Sequence, residues 1–335
     1  MTPNLASLDA PVPPADFRGR TQAVKIICGR LLNAERQSTS LVGGPRTGKT
    51  SLLRYLASTH ADSVLPQLPY RVYLDAQLLS SSSKPADFWL QVFLGLQEKL
   101  TAGTPLAILL AKKIAGAQTR PFDNYDLQDV FDAFAKTDSP VVALVDSWDM
   151  ILKNQNYWGD FFHLVRSLGQ RQPRGLAFVV ATPRRLLDLW SDQIGSVYYN
   201  IFANVTIGRL EETEVLDQVR STLATAQLPE NPGAEQVVLA ASDRHPYLVA
   251  LVTRLVANQL KQAGKIDRTA IGASLRDPNG PVVSLVRDIR AALSPSERLW
   301  LDNLRTAPQL VTPTQRAALE RLRDYGLLPP GTNLG

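Results

Sequence analysis

One run of nine residues constrains the fold of this chain more than any other part of the sequence. Glycines let a backbone curl so that successive N–H groups point at one anion, and a helix that follows adds the positive end of its dipole. The run matches G-x-x-x-x-G-K-T and predicts a phosphate-binding loop of the Walker A type. It reads Gly43, Gly44, Pro45, Arg46, Thr47, Gly48, Lys49, Thr50 and Ser51.

The segments on either side of this run support the prediction. Residues 38–42 are typical of a short strand, and the apolar residues within 51–56 recur at helical spacing. Strand, loop and helix is the order that a phosphate loop requires. A chance match to the pattern is expected in about 1% of chains of this length. The predicted strand before the run and the predicted helix after it further favour a phosphate loop over an ordinary Gly-rich turn. We expect Lys49 to reach the β- and γ-phosphates of a nucleotide and Thr50 to hold Mg²⁺.

Two further runs are apolar throughout, which is typical of strands buried on both faces of a parallel sheet. They cover 141–146, which ends at Asp146, and 176–181, which is followed by Thr182. Predicted helices separate the strands, so we expect an α/β fold with a parallel sheet and helices on both faces. The other predicted elements are strands at 70–75 and 204–207, and helices at 21–36, 85–100, 105–117, 127–135 and 157–168.

After Gly208 the pattern changes to helices with no strand between them, at 211–226, 233–242 and 246–263. Two further helices are predicted to begin at Ser294 and Thr312, where a capping residue precedes a proline. These helices and an apolar Leu327-Leu328 favour a winged-helix-like module. The predicted domains are a flexible leader at 1–16, the P-loop ATPase core at 17–208, a helical lid at 209–280 and the winged-helix-like domain at 281–335.

Asp146 is the expected partner of the loop. A carboxylate at the end of a buried strand can bind the same Mg²⁺ that Thr50 coordinates. The alternative is that Asp146 only caps the segment that follows it. The presence of the loop favours the metal-binding role, so we expect Thr50 and Asp146 to be the metal ligands.

Several short sequences, in this order and spacing, resemble those of the STAND-type P-loop ATPases, relatives of the AAA+ and origin-recognition ATPases. The resemblance spans residues 17 to about 250. It implies a P-loop NTPase fold with an AAA+-like parallel sheet, ATP and Mg²⁺ as cofactors, and ATP or ADP as the bound nucleotide. The residues that carry it are Phe17-Arg18-Gly19-Arg20, the loop with Ser51-Leu52-Leu53, Leu144-Val145-Asp146, Phe178-Val179-Val180-Ala181-Thr182 and His245-Pro246-Tyr247.

The resemblance also implies roles for individual residues. The box of Phe17, Arg18, Gly19 and Arg20 is expected near the adenine and ribose. Thr182 is expected to sense the γ-phosphate, and His245 and Pro246 to touch the nucleotide from the lid. Two plain alternatives stay open: Thr182 is an ordinary strand end before Pro183, and His245 caps the helix that Pro246 begins.

One position departs from the family pattern. In these families an acid usually follows the metal-binding aspartate and positions the attacking water, whereas this chain has Ser147. A serine is a poor general base without a partner. Asp149 can substitute if the backbone turns there; otherwise hydrolysis is slow while binding survives. The candidate catalytic residues are Lys49, Asp146, Asp149 and Thr182.

Composition limits the remaining possibilities. The single cysteine, Cys28, excludes an internal disulfide and a cysteine-based zinc site. No signal peptide or membrane-spanning run is visible, so we expect a cytoplasmic protein with no membrane partner. The net charge of +5 and the pI of about 9.3 are compatible with DNA but do not require it. Arg184 and Arg185 either reach a neighbouring subunit's nucleotide or lie on the surface.

Three functions are therefore in competition. The first is an ATP-driven switch that assembles into a homo-oligomer and signals to a separate effector protein. The second is a DNA-associated ATPase, akin to transposition or origin-recognition regulators. Residues 283–335 carry seven arginines against five acids, a net charge of only +2, which weakens this second hypothesis. The third is an interaction scaffold whose loop has only a structural role.

Overall fold

The structure is a computed structural model that describes residues 8, 10–171, 174–189, 198–306 and 312–328, without the side chains of residues 305 and 306. Most of the predicted leader and the last residues of the predicted winged-helix-like domain lie outside the described residues. The chain divides into two compact units. The sheet unit is Gln22–Val42 with Thr50–Val205, and the loop unit is Met1–Thr21, Gly43–Lys49 and Thr206–Gly335. The predicted domain boundaries stay a prediction.

The described strands form one sheet in the order β2-β3-β4-β1-β5. β2 pairs with β3, β3 with β4 and β4 with β1, each in parallel. The register places Asp75 beside Asp146 and Val42 beside Thr182, so these carboxyl ends meet at one edge of the sheet. The strands are β1 Thr39–Val42, β2 Arg71–Asp75, β3 Val141–Asp146, β4 Leu176–Thr182 and β5 Ala203–Thr206.

The helices between these strands cover the sheet through an aromatic core. Trp89, Trp148, Phe88 and Phe178 are buried almost completely, and their rings meet edge to face or at a tilt. Burial of this much aromatic surface supplies the main driving force for folding of the sheet unit. Its helices are α1 Thr21–Leu32, α2 Lys49–Ala57, α3 Pro85–Gln97, α4 Pro105–Gly116, α5 Asn124–Lys136, α6 Trp148–Lys153 and α7 Asp160–Gln170.

The loop unit is helical after β5. Valines of α8, α9 and α10, among them Val215, Val238 and Val252, form its own buried cluster. A second cluster joins Tyr247 and Leu251 of α10 to Leu285 and Ile289 of α12. The helices are α8 Glu212–Thr225, α9 Pro232–Ser242, α10 Pro246–Ala263, α11 Arg268–Arg276, α12 Pro281–Ala292, α13 Pro295–Thr306 and α14 Pro313–Asp324.

The predicted α/β fold with a parallel sheet is confirmed, and most helices and strands lie within a few residues of their predicted bounds. Several details were wrong or missed. α1 ends at Leu32 rather than Arg36, and α6, α11 and α12 were not predicted. The helix predicted from Tyr157 begins only at Asp160, because Gly159 adopts φ +70° before it. The winged-helix-like domain stays a prediction, since α12 to α14 are joined by no strand in the described part of 281–328.

None of the described helices has the length and apolar character needed to cross a bilayer.

Gly175 provides a test of how tightly the sheet unit is packed. It precedes β4, its carbonyl accepts a hydrogen bond from the Val141 amide, and a Cβ added there would lie 2.6 Å from the backbone carbon of Phe131 and closer still to its oxygen. We expect Gly175→Ala to lower the free energy of unfolding by about 2 kcal/mol, because α5 and β4 must separate. Chemical denaturation of the purified variant measures this loss.

Gly29→Ala is the matched control for this substitution. Gly29 lies within α1, and an added Cβ would have no neighbour within 4 Å among the described residues. Alanine is the better helix former by about 1 kcal/mol, so this variant should be as stable as the wild type or more so. Equal losses in both variants would contradict the close packing of Gly175.

Candidate functional site

The phosphate loop is curled around the end of its own lysine. The Lys49 Nζ donates to the carbonyl oxygens of Gly43 and Gly44, each at 2.7 Å, and the Thr47 hydroxyl donates to the Gly44 carbonyl at 2.8 Å. Gly43 has no room for a side chain, since a Cβ would lie 2.5 Å from the Ile207 oxygen. Arg46 and Gly48 adopt positive φ, as an inward-turned loop requires. The carbonyl oxygens of Gly43 and Gly44 are therefore brought together around the Lys49 ammonium group.

Thr50 and Asp146 meet as predicted for the metal ligands. The Thr50 hydroxyl donates to Asp146 Oδ2 at 2.5 Å, and the Ser147 amide donates to Asp146 Oδ1 at 2.9 Å. Asp146 is only 4% exposed. Hydroxyl and carboxylate oxygens are the hard donors that Mg²⁺ prefers, and Mg²⁺ commonly takes only one or two protein ligands when phosphates supply others. The residues present therefore fit a nucleotide-bound Mg²⁺. No independent metal cluster of histidine, cysteine and acidic residues occurs within the described ranges.

Sequence reasoning missed a third group at this carboxylate. The half-buried Tyr73 of β2 donates its hydroxyl to Asp146 Oδ2 at 3.3 Å. Burial, followed by the charge of Asp146, raises the pKa of Tyr73 to about 12, so the phenol keeps its proton at neutral pH. The guanidinium of Arg54 lies 5.3 Å from the centre of the Tyr73 ring. No sequence motif includes Tyr73. Only the pairing of β2 with β3 could have indicated that Tyr73 lies near Asp146.

The segment after Asp146 turns sharply. Ser147 adopts a left-handed conformation, with φ 55° and ψ 40°, and α6 begins at Trp148. The turn carries Asp149 into the first turn of α6, where its carboxylate pairs with Lys153 at 2.7 Å. Asp149 thus already has a cationic partner. Its predicted substitution for the missing catalytic acid stays a prediction.

Thr182 lies fully buried at the end of β4, beside Val42 of β1. Its hydroxyl is 3.4 Å from the hydroxyl of Ser40, close enough for a hydrogen bond in either direction. This contact fits a plain strand end as well as a sensor of the γ-phosphate. Arg185 forms a bidentate pair with Asp188 at 3.0 Å, and this pair favours the surface alternative for that arginine.

Arg20 joins the N-terminal box to the phosphate loop. Its buried guanidinium donates to the carbonyl oxygens of Thr47 at 2.8 Å, Gly208 at 2.7 Å and Arg209 at 3.0 Å. Burial lowers the pKa of Arg20 to about 10, so it stays charged at neutral pH. Arg18 instead donates locally to the carbonyls of Ala15 and Phe17. The box therefore lies next to the loop, and its contact with adenine and ribose stays a prediction.

His245 is buried among positive charges. It is 4% exposed, and burial together with Arg20 and Arg209 lowers its pKa to about 4. The residue occupies the position before α10, which Pro246 begins, but its side chain makes no capping bond. Among the described residues neither ring nitrogen has a hydrogen-bond partner. The His245 side chain therefore does not cap α10, and its contact with a nucleotide stays a prediction.

Arg46 links the loop to the helices that follow it. Its guanidinium donates to Asp288 at 2.8 Å and to Ser284 at 2.9 Å, both on α12, and lies 4.6 Å from the ring centre of Tyr247. Asp288 and Ser284 are about 240 positions away from Arg46 along the chain, and no sequence pattern indicated them.

The turn after α14 also contacts the loop. The Gly44 amide donates to the carbonyl oxygen of Tyr325, and Gly326 turns the chain with φ +67°. A Cβ on Gly44 would lie 2.6 Å from the Gly326 oxygen, so the close approach depends on glycine. The second glycine of the loop therefore touches the C-terminal segment through its backbone.

The low pKa of His245 makes stability depend on pH. An unfolded histidine takes up its proton near pH 6.5, whereas the folded one does so only near pH 4. Between these values the unfolded state binds more protons, so stability falls as the pH is lowered through this window, by roughly 3 kcal/mol in total. We expect His245→Gln to reduce the drop in melting temperature between pH 7 and pH 4.5.

The exposed His163 supplies the control, as His163→Gln removes a histidine from α7 without changing a buried one. The drop in melting temperature should stay at the wild-type value in that variant. If the melting temperature falls equally with pH in the wild type and in His245→Gln, His245 is not buried in its neutral form.

Comparison with solved structures supports the fold. A Walker-type ATPase from Pyrococcus abyssi matches with a TM-score of 0.60 at 14% identity, over 96% of this chain and 93% of that chain. The ORC2 protein of Aeropyrum pernix, in its ADPNP–ADP complexes, matches with a TM-score of 0.56 at 11% identity, over 96% and 89%. Its ADP form gives 0.52 at 13% identity, over 94% and 88%. At these identities the likeness shows the P-loop ATPase fold.

No curated protein matches the sequence significantly. The profile of the family described as Novel STAND NTPase 2 matches residues 136–317, which is more than half of the chain. The matched stretch contains Asp146, Thr182 and His245 and begins after the phosphate loop, which is identified by its own pattern and geometry. The chain belongs to the Novel STAND NTPase 2 family and is a P-loop NTPase of the STAND type.

Proposed function

We propose that the protein is an ATP-binding switch in which Mg²⁺-ATP binding drives a conformational change and assembly into a homo-oligomer, with slow hydrolysis. The observation that carries this proposal is the contact of the C-terminal segment with the phosphate loop. Gly44 donates to Tyr325, and Arg46 is paired with Asp288. Occupancy of the loop therefore bears directly on where α12 and the turn after α14 can lie.

A nucleotide competes with these contacts. The phosphate chain of a nucleotide and the Tyr325 carbonyl are both hydrogen-bond acceptors. Both would accept hydrogen bonds from backbone N–H groups of the same short loop, among them the Gly44 amide. Lys49 must also leave the carbonyls of Gly43 and Gly44 to reach a phosphate. Binding should therefore loosen the C-terminal segment, and a loosened segment is one way to offer a surface to a second copy or to a separate effector protein.

The case for slow hydrolysis comes from the residues after Asp146. Ser147 replaces the usual acid, and Asp149 is paired with Lys153. Asp146 and Thr50 would still hold Mg²⁺, which polarises the phosphates when bound. Lys49 and the loop amides would position the phosphate chain. What is missing is a carboxylate that positions water, so binding is supported more strongly than turnover.

Loss of the loop lysine tests nucleotide binding. We expect Lys49→Ala to weaken binding of Mg²⁺-ATP by at least about tenfold, because charge-assisted hydrogen bonds to the phosphates are lost. Titration with a fluorescent ATP analogue measures the affinity. Phosphate release by the wild type should be well below about 1 s⁻¹, the lower end of ordinary turnover numbers.

Lys25→Ala, at an exposed position of α1, is the control and should bind as the wild type does. Fast phosphate release that depends on Lys49 would overturn the slow switch. An assembled particle that neither binds ATP nor changes with Lys49→Ala would favour the scaffold hypothesis instead.

The pair between Arg46 and Asp288 tests the coupling. Asp288→Asn keeps the loop sequence and removes the charge that holds Arg46, so the segment should release more easily. We expect affinity for Mg²⁺-ATP to rise by about fivefold, which corresponds to roughly 1 kcal/mol for a partly buried ion pair. Hydrogen exchange of α12 should rise as well. The exposed Asp217→Asn on α8 is the matched control. Unchanged or weaker affinity in Asp288→Asn would mean that the pair does not restrain the loop.

DNA association is the second candidate. The basic pI of about 9.3 is the observation that favours it, although part of the arginine charge is used in pairs such as Arg290 with Asp302. Salt-dependent binding to random duplex DNA would support it. Particle-size measurements with and without Mg²⁺-ATP, each with and without DNA, separate an ATP-driven oligomer from a DNA-driven one.

A further inference from the structure

We propose that Tyr73 is a positioning residue for the magnesium site: its hydroxyl holds the Asp146 carboxylate in the orientation that binds the nucleotide-bound Mg²⁺. This inference rests on the proposed binding of Mg²⁺-ATP. It concerns a residue outside every motif of the loop, the metal aspartate and the lid.

The hydrogen bonds of the Asp146 carboxylate carry the argument. Oδ1 accepts from the backbone amide of Ser147, the next residue. Oδ2 accepts from two side chains, Thr50 at 2.5 Å and Tyr73 at 3.3 Å. Thr50 is the expected metal ligand, so its hydroxyl is committed to the ion when Mg²⁺ is present. The Tyr73 hydroxyl is not an expected metal ligand, so it can still donate to Oδ2 when Mg²⁺ is bound.

The backbone fixes the place of Tyr73. β2 and β3 pair in parallel, with Tyr73 beside Leu144 and Asp75 beside Asp146. Tyr73 therefore lies two residues before the carboxyl end of β2, and its long side chain extends from there to the Asp146 carboxylate. Arg54 of α2 lies against the ring face, which limits the positions the ring can take. α2 also carries Thr50, so one helix holds both the metal hydroxyl and the group that stacks on the tyrosine.

A donor placed in this way acts on metal affinity rather than on folding. Partners that orient a metal-binding carboxylate typically change metal affinity by roughly 10- to 100-fold when removed. Without the Tyr73 hydroxyl, Asp146 keeps its amide contact on Oδ1 but can rotate away from the orientation required at Oδ2. The loss should therefore appear in the dependence of nucleotide binding on Mg²⁺.

The test is a titration of Mg²⁺ against a fluorescent ATP analogue, with the full-length wild type and the Tyr73→Phe variant. We expect the half-saturating Mg²⁺ concentration to rise about tenfold in Tyr73→Phe, while affinity for the analogue in EDTA stays at the wild-type value. Phenylalanine keeps the ring against which Arg54 lies and removes the hydroxyl with its hydrogen bonds to Asp146 and Arg54. An unchanged melting temperature checks that the variant is folded.

Two further variants separate a metal effect from a general one. Tyr70→Phe removes a phenol hydroxyl just before β2 and keeps the edge contact of that ring with Phe134, so its Mg²⁺ dependence should match the wild type. In an Asp146→Asn background, Tyr73→Phe should cause little further loss, since the carboxylate it positions is gone.

The outcomes are distinguishable. If the wild type binds the analogue with a clear Mg²⁺ dependence and Tyr73→Phe does the same, the positioning role is overturned while the proposed function stands. An equal loss in EDTA and in Mg²⁺ would make Tyr73 a structural residue and would also overturn the inference. A wild type that binds no nucleotide overturns the proposed function, and this inference with it.

Discussion

The hydrogen bond between Thr50 and Asp146 is the contact on which the candidate site depends. It joins the first turn of α2 to the last residue of β3, two segments almost one hundred positions apart. The parallel order β2-β3-β4-β1 makes this contact possible, because the carboxyl ends of parallel strands lie at one edge of a sheet. A slip of β3 by one residue would turn Asp146 to the other face. The fully buried apolar run of β3 thus fixes the position of a metal ligand as well as the core.

Two positive charges of the loop unit, those of Lys49 and Arg20, lie against backbone carbonyl oxygens. Lys49 and Arg20 both donate to backbone carbonyls of the loop, and Arg20 also to Gly208 and Arg209. A carbonyl dipole satisfies the donor but leaves the charge in place, so the loop keeps an attraction for an anion. The same field helps to keep His245 neutral. An incoming phosphate chain would meet cations that are already oriented, and it would have to displace the carbonyl oxygens of Gly43 and Gly44 from Lys49.

Much of this arrangement could be predicted from local sequence, and the reasons are physical. A phosphate loop needs glycines and a lysine in fixed order, and a buried parallel strand needs a continuous apolar run, so the loop, β3 and β4 leave direct signals. The contacts of Arg46 with Asp288 and of Gly44 with Tyr325 leave none, because they join segments that only the folded chain brings together. The contact of Tyr73 with Asp146 leaves no sequence signal either. Tyr73 looks like any aromatic residue in a strand until β3 is known to be the neighbour of β2.

The residue after Asp146 is unusual in two ways: in its side chain and in its backbone conformation. Ser147 lacks a carboxylate, and it also holds φ 55°, a region that costs a side-chain-bearing residue roughly 1–2 kcal/mol. Residues with short polar side chains tolerate this conformation better than longer ones. A glutamate introduced at residue 147 would meet this backbone strain and would lie next to Trp148, which is fully buried. The backbone that places Ser147 also directs its amide to Asp146 Oδ1, so the geometry that secures the metal carboxylate disfavours a glutamate at this position more than an aspartate.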